Sequence, residues 1–434
     1  TGAKVTGALE VTQEYPSTRP ALDLNFAATR TLDSRIIFTR DSIATYTDEN
    51  GIVRYASSNV PRFDHDPATG ESLGLLIEES RTNDVAHSDP GDASWLVDSG
   101  AVKTVNTTDT KAPDGTYTAL KLASQATGTS YSQIYDALNL SVGGVQSVWA
   151  KKGTHNVLGL YDFQGSGGIR GWFDLNTGEH RCEGGSKVAA GVQSNGSDSS
   201  GTTNMIEYPN GWYRCMYYES GNMTYNYFRI VDFDSDSESS SSSNTIYLWG
   251  AQAESGKTFA SSFIPSLSGV MPPRDSTRAA DNALIKGTHF TDFYNSTEGT
   301  LVSEHMGSHD ANASPYIAMF SDGTNDERTI LMSDYAGYQG IVKEGSANQA
   351  ILDGGTPILN VKNKNAMAIK KDDFALSLNG GTVATDTSGN MSVVDQLWIG
   401  SRNGADSYMN NTIQSIKYYK KRLPNAQLQG LTQQ

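Results

Sequence analysis

Short apolar or alternating runs separated by turn-forming residues recur along most of the chain. Residues 22–26 alternate between apolar and polar side chains, and residues 374–379 do so again before the Gly380-Gly381 turn. A period of two is typical of a strand with one buried face, and the Gly, Pro, Asn and Asp residues between runs favour turns. The pattern therefore predicts an all-β protein and a half-buried strand at 374–378.

The same pattern divides the chain into four parts. Residues 1–20 show no sustained apolar period, which indicates an extended arm. Residues 21–83 form an extended N-terminal β segment of short strands that cannot easily bury one another, so we expect it to pack on the next domain. Residues 84–268 predict a β-sandwich or jelly roll, and residues 269–434 carry a new set of strand-like runs that indicates a separate domain. Pro424 predicts the start of a short terminal helix.

Composition agrees with many short strands. The 434 residues include 37% hydrophobic and 19% charged residues, 43 Gly, and more Tyr (21) than Phe (13). Gly supplies turn conformations, and Tyr suits half-buried pleated surfaces. At this length, two or three domains of ordinary size are expected.

Charge and hydropathy exclude two classes of partner. The net charge of −15 argues against nucleic acid, because phosphate binding needs clustered Lys and Arg. No apolar run approaches the ~20 residues that a membrane-spanning helix needs, so no membrane insertion is expected. Because the chain begins with Thr1 rather than Met, we expect processing, trimming or renumbering at its start.

Three blocks near the start carry a family resemblance. They are FTRDSIATY at 38–46, VPRFDHDPATGE at 60–71 and GLLIEESRTN at 74–83. Together they resemble the head-spike or fibre domain found in many phage virion proteins. That family commonly has Ala-Ser-Thr where this chain has Asp41-Ser42-Ile43, which we interpret as a surface change.

Later blocks resemble two kinds of sandwich. Similarity to carbohydrate-binding-module jelly rolls lies at residues 112–115, 148–151, 249–256 and 262–265. Similarity to the laminin-G or concanavalin-A-like sandwiches of phage tail and fibre proteins lies at residues 276–281, 299–302, 374–379, 416–419 and 422–423.

The resemblance implies a structural protein of the phage particle, located on the capsid or tail surface. Its implied partners are other virion proteins and host-surface glycans, and its implied assembly is a homotrimer. It implies no cofactor and carries no catalytic motif across. Two alternatives stay open, a tail depolymerase that cleaves polysaccharide and a ligand-free shell or decoration protein.

The residues themselves also predict no catalytic site. Glu78 and Glu79 are adjacent, so on a strand their carboxylates point to opposite faces and cannot flank one bond. Residues 179–183 place Arg181 where a sandwich glucanase would have its middle carboxylate. No Gly-x-Ser-x-Gly motif stands in a strand-to-helix setting. The sequence therefore predicts that the protein is not an enzyme.

Cysteine and histidine spacing gives no zinc site. Cys182 and Cys215 lie in strand-like runs of one domain, where a disulfide and two buried free thiols are both compatible with the sequence. His305 and His309 are four apart, but the intervening residues leave a strand and enter a loop. A shared metal-binding role for this pair is therefore not expected.

One acidic loop resembles a calcium-binding loop. Asp232, Asp234 and Asp236 cluster carboxylates as Ca²⁺ requires, but the sixth position is Ser237 rather than Gly, and the twelfth is Ser243 rather than Glu. These departures favour a solvated acidic loop over a Ca²⁺ site.

Sugar binding needs exposed aromatic faces beside polar donors and acceptors. Large aromatic residues fill sandwich cores more often than they line grooves, so the sequence cannot divide its candidates between these roles. The candidates are Trp95, Trp172, Tyr161, Tyr225, Tyr227 and Tyr408.

Overall fold

The computed structural model describes residues 16–98, 100–124, 132–140, 142–162, 170–183, 185–192, 201–231, 244–266, 276–307, 314–333, 337–356 and 358–434. The chain forms two compact units whose segments alternate along the sequence. The first unit contains residues up to Thr39, Leu73–Glu79 and Asp281–Gln434. The second contains Arg40–Ser72 and Ser80–Ala280.

Almost all regular structure is β. The strands up to residue 255 are β1 (Leu22–Asn25), β2 (Ile37–Thr39), β3 (Ala44–Thr47), β4 (Val53–Ala56), β5 (Phe63–His65), β6 (Ser72–Ile77), β7 (Arg81–Thr82), β8 (Leu96–Asp98), β9 (Ala101–Thr104), β10 (Leu120–Ser124), β11 (Ser132–Leu140), β12 (Gly144–Lys152), β13 (Val157–Tyr161), β14 (Arg170–Asp174), β15 (His180–Cys182), β16 (Gly201–Tyr208), β17 (Trp212–Glu219), β18 (Met223–Ile230) and β19 (Thr245–Ser255).

The later strands are β20 (Thr277–Arg278), β21 (Asn282–Lys286), β22 (Glu298–Met306), β23 (Tyr316–Ser321), β24 (Arg328–Ser333), β25 (Tyr338–Glu344), β26 (Ala347–Gly355), β27 (Lys362–Lys370), β28 (Phe374–Leu378), β29 (Ala384–Asp386), β30 (Gln396–Ile399) and β31 (Asn411–Tyr419). The described helices are α1 (Phe26–Thr29), α2 (Thr288–Thr291), α3 (Asn425–Thr432) and a 3₁₀ turn at Pro209–Gly211. The predicted all-β fold class is confirmed, and the predicted terminal helix is present as α3.

Two six-stranded antiparallel sheets form the sandwich of the second unit. One has the strand order β16-β17-β12-β19-β10-β9 and the other β15-β14-β13-β18-β11-β8. Alternate side chains from both sheets meet in one buried cluster, with Val148 and Leu248 from the first sheet and Leu160 and Phe228 from the second. Each such fully buried side chain stabilises the fold by roughly 1.5–3 kcal/mol.

The outer face of the β12 sheet is also covered. Trp149 lies at the centre of an aromatic cluster, 5.3 Å from the ring of Trp249 and 5.4 Å from that of Phe263 between centroids. Val53 of β4 belongs to the same buried cluster, and the Thr45 hydroxyl donates to the Phe263 carbonyl at 2.6 Å. Residues 40–72 thus pack on this sheet.

The segment 21–83, expected to pack on the next domain, is divided between the two units. Residues 40–72 and 80–83 belong to the second unit, whereas residues 21–39 and 73–79 belong to the first. There β1 pairs with β31, β2 with β21, and β6 with β31. The boundary expected at residue 269 lies outside the described residues.

The end of the GLLIEESRTN block holds the second unit together through buried polar contacts. The Arg81 guanidinium donates to Glu254 Oε2 at 2.9 Å, and both side chains are buried. Asn83 Nδ2 donates to the carbonyls of Ala251 and Ile264, at 3.2 and 2.8 Å. The two Asn83 bonds satisfy backbone carbonyls that would otherwise be buried without partners.

The first unit is a second sandwich. One of its sheets runs β29-β28-β27-β22-β31-β6, with β1 also pairing β31, and the other runs β2-β21-β30-β23-β24-β25-β26. Aromatic rings pack in its interior. Phe320 of β23 lies 5.4 Å from Tyr418 of β31 and 5.9 Å from Phe290 of α2 between ring centroids.

The burial of strand β28 contradicts the prediction that it is half-buried. Its alternation predicted a strand with one solvent-exposed face, but every side chain from Phe374 to Leu378 is buried. Helix α3 covers the second face, because Leu428 packs with Ala375, and the Thr432 and Ser377 hydroxyls lie 3.1 Å apart. The side chains of Ala375 and Ser377 are small and leave room for this helix.

Cys182 and Cys215 are both buried, and neither forms a disulfide. They lie on β15 and β17, which belong to opposite sheets of the second unit. Burial raises the pKa of the Cys215 thiol well above its usual value, which keeps it protonated and unreactive.

Candidate functional site

Alternation along β18 and β11 sorts their side chains between the two faces of one sheet. Phe228 and Ile134 point into the core between the sheets. Their chain neighbours Tyr227 and Tyr135 therefore point to the outer face. The two tyrosines are direct cross-strand partners in the antiparallel register.

Four tyrosines meet on this outer face, and we call Tyr135, Tyr161, Tyr225 and Tyr227 the tyrosine face. The ring centroids of Tyr135 and Tyr227 are 5.0 Å apart with an interplanar angle of 29°. Tyr227 also lies 5.5 Å from Tyr225 and 5.6 Å from Tyr161. Tyr135, Tyr225 and Tyr227 are each partly exposed, so the cluster lies at the surface.

A row of polar groups borders these rings. Arg229 Nε donates to Gln133 Oε1 at 2.9 Å, and Gln133 Nε2 donates to Asp98 Oδ2 at 2.7 Å. The Arg229 guanidinium stacks over the Tyr161 ring, with Cζ 4.7 Å from the ring centroid. Because Arg229 and Gln133 are buried and bonded to each other, they hold this edge of the tyrosine face in one arrangement.

Within the described part of the chain, the hydroxyls of Tyr135, Tyr225 and Tyr227 donate to no protein acceptor. Burial, followed by the nearby Tyr225, Tyr135 and Asp98, raises the pKa of Tyr227 to about 12. The Tyr227 phenol therefore stays protonated at neutral pH and can both donate and accept a hydrogen bond.

Asp162 fixes the position of Tyr225. This buried carboxylate accepts from the backbone N–H groups of Thr224 and Tyr225, both at 2.9 Å. The contact holds the start of β18 against the end of β13, which carries Tyr161. The rings are thus supported by strands rather than by a loop, which favours a preformed binding surface.

Trp172 extends the outer face on its other side. It pairs across the strands with Gly159, and Arg181 stacks over its ring with Cζ 5.1 Å from the centroid. The Trp172 side chain is buried against Val157 and Val231. It is thus a packed neighbour of the tyrosine face rather than an open ring.

The structure sorts the six predicted aromatic candidates. It brings Tyr161, Tyr225 and Tyr227 together on one surface. Trp95 is a core residue whose ring stacks on Phe228 at 4.8 Å. Tyr408 is buried, and its hydroxyl donates to Asn282 Oδ1 at 3.0 Å.

Tyr135 belongs to the tyrosine face but is missing from the sequence-based candidates. Its local signal was present, because Gln133, Tyr135 and Ala137 alternate with buried Ile134 along β11. What the sequence lacks is the pairing of β11 with β18, which lies about ninety residues further along the chain. Because this pairing is non-local, the alternation of side chains along β11 does not by itself identify Tyr135 as a member of the tyrosine face.

His305 is a structural residue. It is fully buried, with Nε2 3.1 Å from the Tyr338 hydroxyl and Nδ1 3.3 Å from the Ser303 hydroxyl. Burial lowers the pKa of His305 to about 3. A serine beside a histidine resembles part of a nucleophile pair, but substrate cannot reach this buried position.

Glu78 and Glu79 follow β6, and their backbone groups join segments of the first unit. The Glu78 N–H donates to Asp281 Oδ2 at 3.0 Å, and the Glu79 N–H donates to Asn410 Oδ1 at 2.8 Å. Glu78 is buried. This segment therefore has a structural role in joining distant parts of one unit.

The calcium candidates Asp232, Asp234 and Asp236 lie outside the described residues, as does His309. Among the residues that the structure describes, no three His, Cys, Asp or Glu side chains are grouped so that they could hold a metal ion. None of the described helices is both long and apolar enough to cross a membrane.

Comparisons with known proteins give only distant likenesses. No protein-family profile and no curated protein sequence matches the chain. Among solved structures, it is similar to the CBM40 module of Ruminococcus gnavus IT-sialidase, at 21% identity and a TM-score of 0.28, covering 32% of this chain and 84% of that chain. Domains LG4-5 of the mouse laminin α1 chain are 8% identical with a TM-score of 0.23, covering 77% and 92% respectively.

Trypanosoma rangeli sialidase is a further neighbour, at 11% identity and a TM-score of 0.28, covering 72% of this chain. The chain spans 60% of the length of that sialidase. Because these identities and TM-scores are low, the likenesses carry no argument about the tyrosine face.

Proposed function

We propose that this chain is a bacteriophage virion protein, a fibre, spike or decoration component, that binds host-surface glycans through the tyrosine face without cleaving them. The virion assignment is supported by the three N-terminal sequence blocks that resemble phage head-spike or fibre domains. Glycan binding is supported by the second unit itself.

One observation carries the binding proposal. The tyrosine face sets four rings side by side on paired strands, and three of their hydroxyls have no protein partner in the described part of the chain. Sugars present apolar C–H faces and many hydroxyls, which matches ring surfaces bordered by phenols and amides.

Binding is tested by removing the rings. We expect the double substitution Tyr135→Ala and Tyr227→Ala to abolish retention on host-surface glycans in a glycan array and in calorimetry. Tyr117→Ala is the matched control, because Tyr117 is an exposed tyrosine of the same unit outside the face. Equal binding by the double variant and by the unchanged protein would exclude the tyrosine face as the site.

The absence of cleavage has its own test. The protein is incubated with host polysaccharide, and reducing and unsaturated ends are measured over time. We expect no release, since binding on this face is proposed to leave the glycan intact. Release of such ends would favour the depolymerase alternative.

The virion location and the homotrimer are tested on particles and in solution. Immunogold labelling of intact virions is expected to mark the capsid or tail surface. Light scattering is expected to give three times the mass of one chain. A stable monomer would exclude the trimer, and unlabelled virions would exclude the location.

A further inference from the structure

We infer that the tyrosine face binds single, soluble chains of a linear glycan laid across the strands, and that Leu96 at the sheet edge is a further contact residue. This inference rests on the proposed function and adds the class of glycan and the direction in which it lies. It follows from the strand register, from the exposure of the side chains and from the angles between the rings.

The strand register places three side chains in one row across the sheet. Tyr135 of β11 pairs with Leu96 of β8 on one side and with Tyr227 of β18 on the other. Direct cross-strand partners lie on the same face of a sheet, with their Cβ atoms ~4.5–5.5 Å apart. The row therefore runs perpendicular to the strands, and its outer members are separated by two strand spacings, roughly 10 Å.

The two ends of this row differ in exposure. Leu96 is 52% exposed, and β8 is the end strand of its sheet. Beyond Tyr227 the row continues to its partner Tyr161, which is only 8% exposed and has the Arg229 guanidinium over its ring. A ligand that covers Tyr227 and Tyr135 can therefore extend over Leu96 and past the sheet edge. This geometry suits a chain that continues beyond the site.

The side chains of the row match successive residues of a linear glycan. A pyranose ring is similar in size to a phenol ring, and a linear chain advances per residue by a length close to the spacing between strands. Neighbouring sugars can therefore cover Tyr227, Tyr135 and Leu96 in turn. The tyrosine hydroxyls can bond sugar hydroxyls, whereas Leu96 has no polar group and contributes by burying the C–H face of a sugar.

The angles between the rings exclude a flat ligand surface. The Tyr227 ring is inclined by 29° to that of Tyr135 and by 48° to that of Tyr225, and the Tyr135 and Tyr225 rings are 76° apart. Rings at these angles cannot all lie against the flat face of a crystalline polysaccharide. A single chain can turn from one residue to the next and so follow the sheet twist of ~20–25° per strand.

The first test measures how affinity depends on the length of the glycan. Linear oligosaccharides of glucose, mannose, galactose and N-acetylglucosamine, with two to six residues, are titrated in calorimetry against the full chain. We expect affinity for the preferred series to rise at least about tenfold between two and four residues, because the longer probes also cover Leu96, and then to level off. Microcrystalline cellulose and chitin are the insoluble probes, and we expect neither to retain the protein.

Leu96 supplies the second test. Leu96→Ala is expected to lower affinity for the tetrasaccharide by about threefold to tenfold and to leave affinity for the disaccharide unchanged, since the disaccharide covers only the two tyrosines. Leu96→Tyr adds a ring to the row and is expected to raise affinity for the tetrasaccharide by about threefold or more. Val97→Ala is the matched control, because Val97 is 46% exposed on the same edge strand and alternates to the opposite face.

The outcomes separate this inference from the function on which it rests. Equal affinity for two and four residues, tetrasaccharide binding unchanged by both Leu96 variants, or retention on the insoluble probes overturns the inference and leaves glycan binding by the tyrosine face intact. Binding of no probe in these series or on the glycan array overturns both. Binding that persists after loss of Tyr135 and Tyr227 overturns the site.

Discussion

His305 makes the stability of the first unit depend on pH. Burial lowers its pKa to about 3 in the folded protein, against ~6.5 in the unfolded chain. The unfolded chain therefore binds more protons between these values, so the stability is full above pH ~6.5 and falls as the pH is lowered toward 3. Urea unfolding at pH 7.5 and 5.5 is expected to show this loss.

His305→Gln removes the titrating group. We expect the variant to be less stable at pH 7.5 but to lose ~1.4 kcal/mol less than the unchanged protein between pH 7.5 and 5.5. His289→Gln is the control, because His289 is exposed in the same unit. An unchanged pH dependence after His305→Gln would contradict the neutral buried state.

Asn83 is expected to be one of the most sensitive polar residues of the second unit. Its Oδ1 accepts from the backbone N–H of Val85 and of Ala253, at 3.1 and 3.0 Å. Its Nδ2 donates to the carbonyls of Ala251 and Ile264. Asn83→Ala leaves these buried groups unpaired, which costs at least about 3 kcal/mol. Chemical unfolding measures the loss, and exposed Asn50→Ala is expected to change stability by less than ~0.5 kcal/mol.

At the scale of elements, helix α3 seals one face of β28. Leu428 is fully buried in the cluster with Ala375 and Val302. Leu428→Ala is expected to cost ~2–5 kcal/mol and to increase binding of a hydrophobic dye, because it opens a cavity beneath the helix. Ala426→Ser on the exposed side of α3 serves as control, and equal stability of the two variants would contradict the packing role.

The same helix shows what alternation can predict about an element. The period of two at residues 374–378 located strand β28 correctly, because strand geometry is local. It also predicted an exposed face, which was wrong, since the helix that covers that face follows some fifty residues later. Local pattern fixes where a strand lies, but distant segments decide what covers it.

The tyrosine face follows the same rule. Its outward residues are visible in the alternation of β18, so Tyr225 and Tyr227 could be named from the sequence. The addition of Tyr135 and the row through Gln133 depend on the β11-β18 pairing and on buried hydrogen bonds. Neither follows from composition or from a motif.

For the whole molecule, the order of segments along the chain differs from the order of the units. Sequence predicted an arm, a segment and two successive sandwiches, whereas the first unit takes β1, β2 and β6 from the start of the chain and most of its other strands from the end. Sheets bring together strands from distant parts of a chain, and single-sequence periodicity carries no information about such pairing.

This interleaving has a testable consequence for truncation. A chain that ends at Ala280 keeps β1, β2 and β6 but loses β31 and β21, with which they pair. Unpaired strands with one apolar face act as templates for association, so we expect this chain to form large aggregates in light scattering. The matched control begins at Arg40, ends at Ala280 and replaces Leu73–Glu79 with a polar linker of equal length. This control keeps the second unit but lacks β1, β2 and the β6 residues that pair with β31, so we expect it to be monodisperse. Equal behaviour of the two chains would contradict the dependence of β1, β2 and β6 on the C-terminal strands.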